Sequence, residues 1–286
     1  MSTANIYNST FSTLPEFETV SNIIISIVKD EILSRFNHLE KYEISEKYMG
    51  EIVTEADIQA EIRLSSSLLS LIPNSTVIGE EEYGQNNSVI NRFDEKNPVW
   101  IIDPLDGTRN FSQGKTCFCT IVAFCLGKET HMAWIYDPIN KKMYSATKGA
   151  GAWCNSKIIK NKPKSDLADM VGSVGKRRRD SLSTYHSEKH SIMPRQLIRY
   201  RCLGLEYADL ATGKLHFAEY NILKPWDHAA GVLIMEEAGG YGAFVDTNEP
   251  YRPGPIVNNR YLATFRSEIW SDIYNYLNVN DSTHIN

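Results

Sequence analysis

Residues 99–108 read VWIIDPLDGT, an apolar run that ends in a carboxylate at Asp103 and places a second one, Asp106, just past a proline. A strand built from residues 99–102 and buried in a core carries the Asp103 carboxylate inward, where desolvation is costly unless a cation or hydrogen-bond donors meet it. Pro104 predicts a turn, which would let Asp106 face the same place as Asp103. Two carboxylates brought that close repel, and a bound divalent cation stabilises both. The segment therefore points to a metal or phosphate site; the plainer alternative is a turn in which Asp serves as a local acceptor. All-oxygen ligands without His or Cys suit Mg²⁺ ahead of Mn²⁺, and not zinc. Gly107 and Thr108 would open a helix and offer backbone N–H groups to an anion, and a metal beside an anion site implies a phosphate ester.

Acidic residues recur where strands end or helices begin. In VIGEEEYG a strand-like TVIG runs into Glu80, Glu81 and Glu82, and in KPWDHAAGVLIMEEAGG Asp227 sits in the first turn of an apolar helix. By themselves Asp227 is explained as an N-cap and Asp57, in VTEAD, as the partner of Thr54 in a capping box. Around these motifs, the spacing predicts an amphipathic helix over 17–39. A second helix starts at Thr54, with a stripe of Ile58, Ile62, Leu68, Leu69 and Ile72 that stops at Pro73 and Asn74. Strands are predicted at TVIG, PVWIID, CTIVAFC, HMAWIYD and KKMYSAT, several close enough to pair antiparallel. The second half reads as a strand, a helix around LEYADLATG, a strand near HFAEYNI and a helix over 227–238 closed by Gly239 and Gly240. The polar stretch 155–198 reads as a junction between two halves, with its basic run KRRR at 176–179 on a solvated loop. Alternating helices and strands favour a layered α/β or α+β fold. The organisation expected is a polar tail over 1–14, one domain over 15–275 made of halves at 15–165 and 166–275, and a polar tail over 276–286.

With 286 residues, 42% apolar and 23% charged, the chain has the composition of a compact globular protein, and its formal charge of -5 has the wrong sign for a nucleic-acid binder. The five cysteines are an odd number without a C-x-x-C pair; Cys117 and Cys119 read as buried thiols sharing one strand face. No apolar run approaches the roughly 20 residues of a membrane span, and no secretory signal is seen, so a cytoplasmic address is expected.

The motifs VTEAD at 53–57, GEE at 79–81, WIIDPLDGTRNF at 100–111 and PWDHAAG with EAGG at 225–240 resemble, in order and spacing, those of the inositol monophosphatase family. The stretch YDPINKKMYSATKGAGAWCN at 136–155 resembles the family's strand pair and Gly-rich hairpin, and no P-loop Lys-Ser/Thr pair follows its glycines. The resemblance implies a five-layer αβαβα sandwich of the inositol monophosphatase and fructose-1,6-bisphosphatase type, commonly homodimeric. It implies a Mg²⁺-dependent, lithium-sensitive phosphomonoesterase that uses in-line attack of a metal-activated water on a small polyol, sugar or nucleotide phosphate. Glu80, Asp103 and the Leu105 carbonyl would hold a first Mg²⁺, and Asp103, Asp106 and Asp227 a second; some members add a third ion, and Mn²⁺ is a possible substitute. Glu80 and the Thr108 hydroxyl would take part in water activation, with Asp57 orienting Thr108. The phosphate would rest on the Gly107 and Thr108 amides, next to Asp106 and Asp227. A Glu that binds ring hydroxyls in inositol-specific members would fall at Tyr220, with Glu219 one position out of register, so both are candidates to face the leaving group. Leu203, Leu205, Glu206, Tyr207 and Lys47 are further candidates near the pocket. Within the same scaffold, 3′-phosphoadenosine, fructose bisphosphate and histidinol phosphate remain open as substrates. A regulatory member that binds RNA or the transcription machinery is the competing reading, supported locally only by 176–179.

Overall fold

The computed structural model describes residues 14–38, 43–46, 52–160 and 165–278. The expected tail over 1–14 lies outside these except for Leu14, as do Lys47 and the last eight residues of the expected C-terminal tail. Helix α1 (Phe17–Ile27) continues without a break into a π-helical stretch, Val28–Leu33. A short antiparallel hairpin of β1 (Ile44–Glu46) and β2 (Ile52–Thr54) leads into α2 (Glu55–Leu71). Then come β3 (Thr76–Gly79), α3 (Glu80–Gln85), β4 (Val99–Asp106), α4 (Thr108–Ser112) and β5 (Cys119–Leu126). The first half ends with β6 (Glu129–Asp137), β7 (Lys142–Thr147), β8 (Gly151–Cys154) and β9 (Lys157–Ile158). Strands β3 to β9 form one seven-stranded sheet in sequence order, parallel only at β3–β4.

The second half runs through β10 (Val171–Ser173), α5 (Lys176–Glu188), β11 (Gln196–Ile198), α6 (Leu203–Ala211) and β12 (Phe217–Tyr220). It closes with α7 (Pro225–Glu237), β13 (Tyr241–Phe244), β14 (Tyr261–Thr264) and α8 (Trp270–Leu277). Its strands make a five-stranded sheet in the order β11-β10-β12-β14-β13.

Strand alternation sorts the side chains into layers. In β4, Trp100 and Ile102 pack with Val20 and Ile24 of α1 and with Leu64 and Leu68 of α2. Val99 and Ile101 point the other way, into a core shared with Tyr207 of α6, Ala230 and Leu233 of α7, and Ala218 and Ala263 of the second sheet. The far face of that sheet presents Phe217 and Leu262 to Leu182 of α5 and Ile273 of α8. The layers are thus αβαβα, with α6 and α7 in the middle.

Two helices differ from the spacing prediction for identifiable reasons. Helix α2 buries Ala56, Ala60, Leu64 and Leu68, together with Asp57 and Glu61, whereas Ile62 and Leu69 are 57% and 40% exposed. Counting only large apolar side chains rotates the inferred face away from the true one, because Ala allows the helix to sit close to the sheet. Helix α7 starts at Pro225 with Lys224 as its N-cap residue, so Asp227 is the third residue of the first turn and is not the cap. Gly239 closes the helix with φ 94°, a left-handed conformation that glycine takes without strain.

The expected junction over 155–198 contains β9, β10, α5 and β11, and the basic run opens α5 instead of lying on a loop. Helix α5 buries only Leu182 and His186, too few apolar positions to show a helical period. Helices α6 and α7 touch at Gly231, where an added Cβ would lie 2.2 Å from the Tyr207 ring. Tyr207 is fully buried and its hydroxyl bonds His228 Nδ1 at 2.7 Å, so it has no free direction in which to move. Gly231→Ala is therefore expected to destabilise the protein by about 1–3 kcal/mol through overpacking, read as a lower denaturation midpoint; an unchanged midpoint would contradict the close helix contact.

Candidate metal and phosphate site

Asp103 and Asp106 are three residues apart, a spacing that in a regular strand puts side chains on opposite faces. Here Asp103 pairs with Ile121 and Asp106 with Cys119, so β4 spends three steps where β5 spends two. This β-bulge brings both carboxylates to the side that faces α6 and α7. Where the sequence predicts a turn at Pro104, the strand runs on through the proline. Pro104 lacks an N–H, which a bulge tolerates, and its carbonyl accepts the Thr120 hydroxyl at 2.7 Å.

The carboxylates are held by few donors. Asp103 Oδ1 accepts the Leu105 N–H at 3.0 Å, and Asp106 Oδ2 accepts the Gly204 N–H at the start of α6 at 2.6 Å. The Cys119 thiol also points at Asp106 Oδ2, 3.6 Å away. Burial, then the charges of Glu80, Asp106 and Asp227, push Asp103 far above the usual carboxylate range. Burial is also the main cause that pushes Asp106 up to about 6, against the lowering effect of the Gly204 N–H. The Leu105 and Gly204 N–H groups offset only part of this crowding. A hard divalent cation fits the all-oxygen set, because its charge stabilises the ionised carboxylates that burial and mutual repulsion disfavour.

Glu80 is the first residue of α3, and its position depends on a residue the sequence reasoning missed. Glu61, buried on α2, accepts the Glu81 N–H at 2.8 Å and the Glu82 N–H at 2.7 Å. An added Cβ at Gly79 would lie 2.3 Å from the Glu61 carboxyl carbon, so glycine is required where β3 meets this cap. The available signal was spacing: Glu61 follows Asp57 by one helical turn and shares its buried face.

Asp57 Oδ2 accepts both the N–H and the hydroxyl of Thr54, at 2.8 and 2.5 Å, which joins the hairpin to the helix start. Its other oxygen lies 2.9 Å from the Thr108 hydroxyl, which lies equally close to the Leu105 carbonyl. Thr108 has one proton to give. When it goes to Asp57, the Leu105 carbonyl is released toward the cleft and the Thr108 lone pairs turn outward. Burial is the main cause that pushes Asp57 up to about 6. Gly107 takes φ 92°, and a Cβ there would meet the Cys117 carbonyl at 2.8 Å, so this N-cap position of α4 accepts only glycine without strain.

Glu80, Asp103, Leu105, Asp106, Gly107, Thr108 and Asp227 all line one cleft of about 390 Å³, with Asp57 behind Thr108. Ile52, Arg109, Arg201, Leu203 and Lys224 complete its wall. Arg109, Arg201 and Lys224 were not anticipated: each follows or precedes a motif residue, and only the folded chain shows that the three converge.

Glu219 and Tyr220 are not among the residues that line this cleft. They are neighbours on β12 and so point to opposite faces. Glu219 faces α5 and α8, where Oε1 accepts Arg260 Nη2 at 2.7 Å and Oε2 lies 3.5 Å from Arg178 Nε. Tyr220 faces the middle layer, stacked on Tyr207 with ring centres 5.4 Å apart. Glu206 is also buried, accepting the Ser173 hydroxyl at 2.8 Å and the Tyr200 N–H at 3.0 Å. Of the basic run, Arg178 bonds the Leu277 carbonyl and Arg179 the Leu197 carbonyl, so half of it serves the fold. The five cysteines are free thiols. Cys119 and Cys202 lie 3.6 Å apart beside Asp106, and burial pushes Cys119 up to about 12, which keeps it a neutral donor.

The model of the inositol monophosphatase family matches residues 14–272. Among curated relatives, the Nus factor SuhB of Vibrio cholerae is 33% identical over 217 residues, which cover 73% of this chain and 78% of the relative. Inositol monophosphatase 2 of Solanum lycopersicum is 32% identical over 203 residues, covering 69% of this chain and 76% of that protein. A solved IMPase/NADP phosphatase complexed with Mg²⁺ and phosphate has the same fold, with a TM-score of 0.76 at 22% identity over 92% of this chain and 97% of that one. The chain belongs to the inositol monophosphatase family, a family of metal-dependent phosphatases.

The raised aspartate pKa values make metal affinity depend on pH. An aspartate raised from 3.8 to about 6 binds its proton more tightly folded than unfolded; its stabilising effect is complete below pH 3.8 and is lost as the pH rises through about 6. A divalent cation competes with that proton and replaces the lost stabilisation above this range. The increase in Tm on adding Mg²⁺ should therefore be larger near pH 7.5 than near pH 5; an equal increase at both would show that these carboxylates do not bind the ion.

Proposed function

We propose that this protein is a Mg²⁺-dependent phosphomonoesterase acting on a small phosphate ester of a sugar, polyol or nucleotide. The observation that carries this reading is the convergence of Glu80, Asp103, Asp106 and Asp227 with the Gly107–Thr108 start of α4 in one cleft. Glu80, Asp103 and the Leu105 carbonyl would hold one ion, and Asp103, Asp106 and Asp227 a second. When bound, Mg²⁺ supplies positive charge that polarises the phosphoryl oxygens and acidifies water.

The protein's own groups do the rest. The Gly107 and Thr108 N–H groups cradle the phosphoryl oxygens at the left-handed turn. Thr108, donating its hydroxyl hydrogen bond to Asp57, accepts a hydrogen bond from the attacking water and fixes its approach. Glu80 accepts the proton the water loses. Ile52 and Leu203 line the same cleft and limit competing water. Attack is in line with the departing alcohol, which takes up a proton. Family membership further supports a homodimer and sensitivity to lithium.

Asp103→Asn removes charge from both proposed ion sites at nearly constant volume. Losses of about 10–100-fold are usual for removing a residue that only supports a metal ligand, so phosphate release should fall by more than about 100-fold. The Tm without metal should stay level or rise, since a buried repulsion is relieved. Retained activity, or activity indifferent to a chelator, would overturn the reading. Millimolar Li⁺ should inhibit phosphate release at low Mg²⁺, with relief at high Mg²⁺; inhibition that ignores the Mg²⁺ concentration would place lithium outside these sites.

A further inference from the structure

Two thiols flank Asp106, Cys119 from the start of β5 and Cys202 from the N-cap of α6. Cys119 Sγ lies 3.6 Å from Asp106 Oδ2 and 3.6 Å from Cys202 Sγ, and Cys202 Sγ lies 3.6 Å from the Asp106 carbonyl. A ligand atom from each of the three residues falls within 4.8 Å of the other two, and all three residues are buried. Gly204 makes room for the Cys119 sulfur, since an added Cβ there would lie 2.5 Å from it. Cys117 extends the group toward solvent: it is only partly buried and is hydrogen-bonded to Cys202.

Hydrogen bonding accounts for little of this convergence. A thiol is a weak donor and a weak acceptor, and Asp106 Oδ2 already takes the Gly204 N–H at 2.6 Å. The spacing matches a metal polyhedron instead. Around a zinc ion held at about 2.3 Å from sulfur and about 2.1 Å from oxygen, tetrahedral geometry puts two sulfurs about 3.8 Å apart and a sulfur and an oxygen about 3.6 Å apart. Mg²⁺ prefers oxygen ligands, whereas thiolates select a softer ion such as zinc. We propose that Asp106, Cys119 and Cys202 form a zinc site that shares one carboxylate with the all-oxygen Mg²⁺ site. The two thiols bind as thiolates and release their protons to solvent, and water completes the tetrahedron. The zinc site stands without the phosphomonoesterase reading; only its competition with Mg²⁺ for Asp106 rests on that reading.

The test uses the full-length protein with its thiols reduced. Co²⁺ reports thiolate ligation through a charge-transfer band in the near ultraviolet; the protein should give that band, and Zn²⁺ should bleach it where an equal concentration of Mg²⁺ does not. Cys119→Val and Cys202→Ala should each remove the band and weaken Zn²⁺ binding by more than about 100-fold in competition with a chromogenic chelator. Cys154→Ser, outside the group, should keep both. In the unsubstituted protein, where no variant has to fold, X-ray absorption at the zinc edge should show at least two sulfur ligands at about 2.3 Å. Zinc loading should also shrink the rise in Tm that Mg²⁺ produces, because the two ions share Asp106. The absence of the band, a band that both cysteine substitutions leave in place, or a zinc shell of nitrogen and oxygen alone overturns the site. A Mg²⁺ response that zinc leaves unchanged overturns the sharing of Asp106. A sulfur-containing zinc shell in a protein that releases phosphate from no ester keeps the site and overturns the phosphatase.

Discussion

The bulge in β4 is the constraint on which the candidate site depends. It consists of a single extra residue, yet it decides whether the two carboxylates of the DPLD segment oppose each other through a sheet or share one face. The interior side of β4 is otherwise apolar, with Ile101 packed among α6 and α7. Turning both aspartates to that side creates a concentration of negative charge at the edge of a core. Nearby elements are arranged around this fact. Gly204 donates an N–H to Asp106, and Thr120 holds the proline carbonyl at the crest of the bulge. Crowding that burial leaves only partly offset by these donors is what a bound cation would relieve.

Helix α7 plays the complementary part. It is buried almost all round because it lies between two sheets, and only its first turn reaches the cleft. Placing Asp227 there requires the helix to pack closely against α6, which Gly231 permits by leaving room for Tyr207. The same first turn carries Lys224, so one helix start supplies a carboxylate to the acidic floor and a cation to the wall. His228, one residue further on, is pushed down to about 3 by burial and stays neutral between the Tyr207 hydroxyl and the Ile222 carbonyl. It reinforces the helix contact and adds no charge to the site.

Much of this was legible before folding. The strands from β3 to β7, the helix after Thr54 and the acidic motifs were visible because each has a local cause: alternation, a capping pair, or a carboxylate ending an apolar run. Other features lacked such a cause. Glu61 looked like one polar residue among others on α2, since the apparent stripe of Ile62 and Leu69 pointed to the wrong face; small alanines defined the true one. Glu219 and Tyr220 could be weighed against each other by counting, but counting could not tell which face of β12 looks inward. That depended on the pairing with β14, which sends Glu219 to the arginines of the outer layer. Helix α5 escaped detection because its exposed surface is nearly all polar, so burial against the second sheet left little trace in the pattern.

The sequence by itself determined which groups are available: clustered carboxylates without His or Cys partners, followed by a glycine and a hydroxyl, the set that a hard cation and a phosphate would take. Tertiary structure decided how those groups meet. The bulge set the two aspartates on one face, α7 brought Asp227 across to them, and Glu61 fixed the helix that presents Glu80. It also decided which further side chains line the cleft, because Arg201 and Lys224 come from the second half of the chain and converge only when α6 and α7 pack between the sheets. Local pattern records the types of group available at each position. The distances between them are set by packing, and substrate choice depends on those distances.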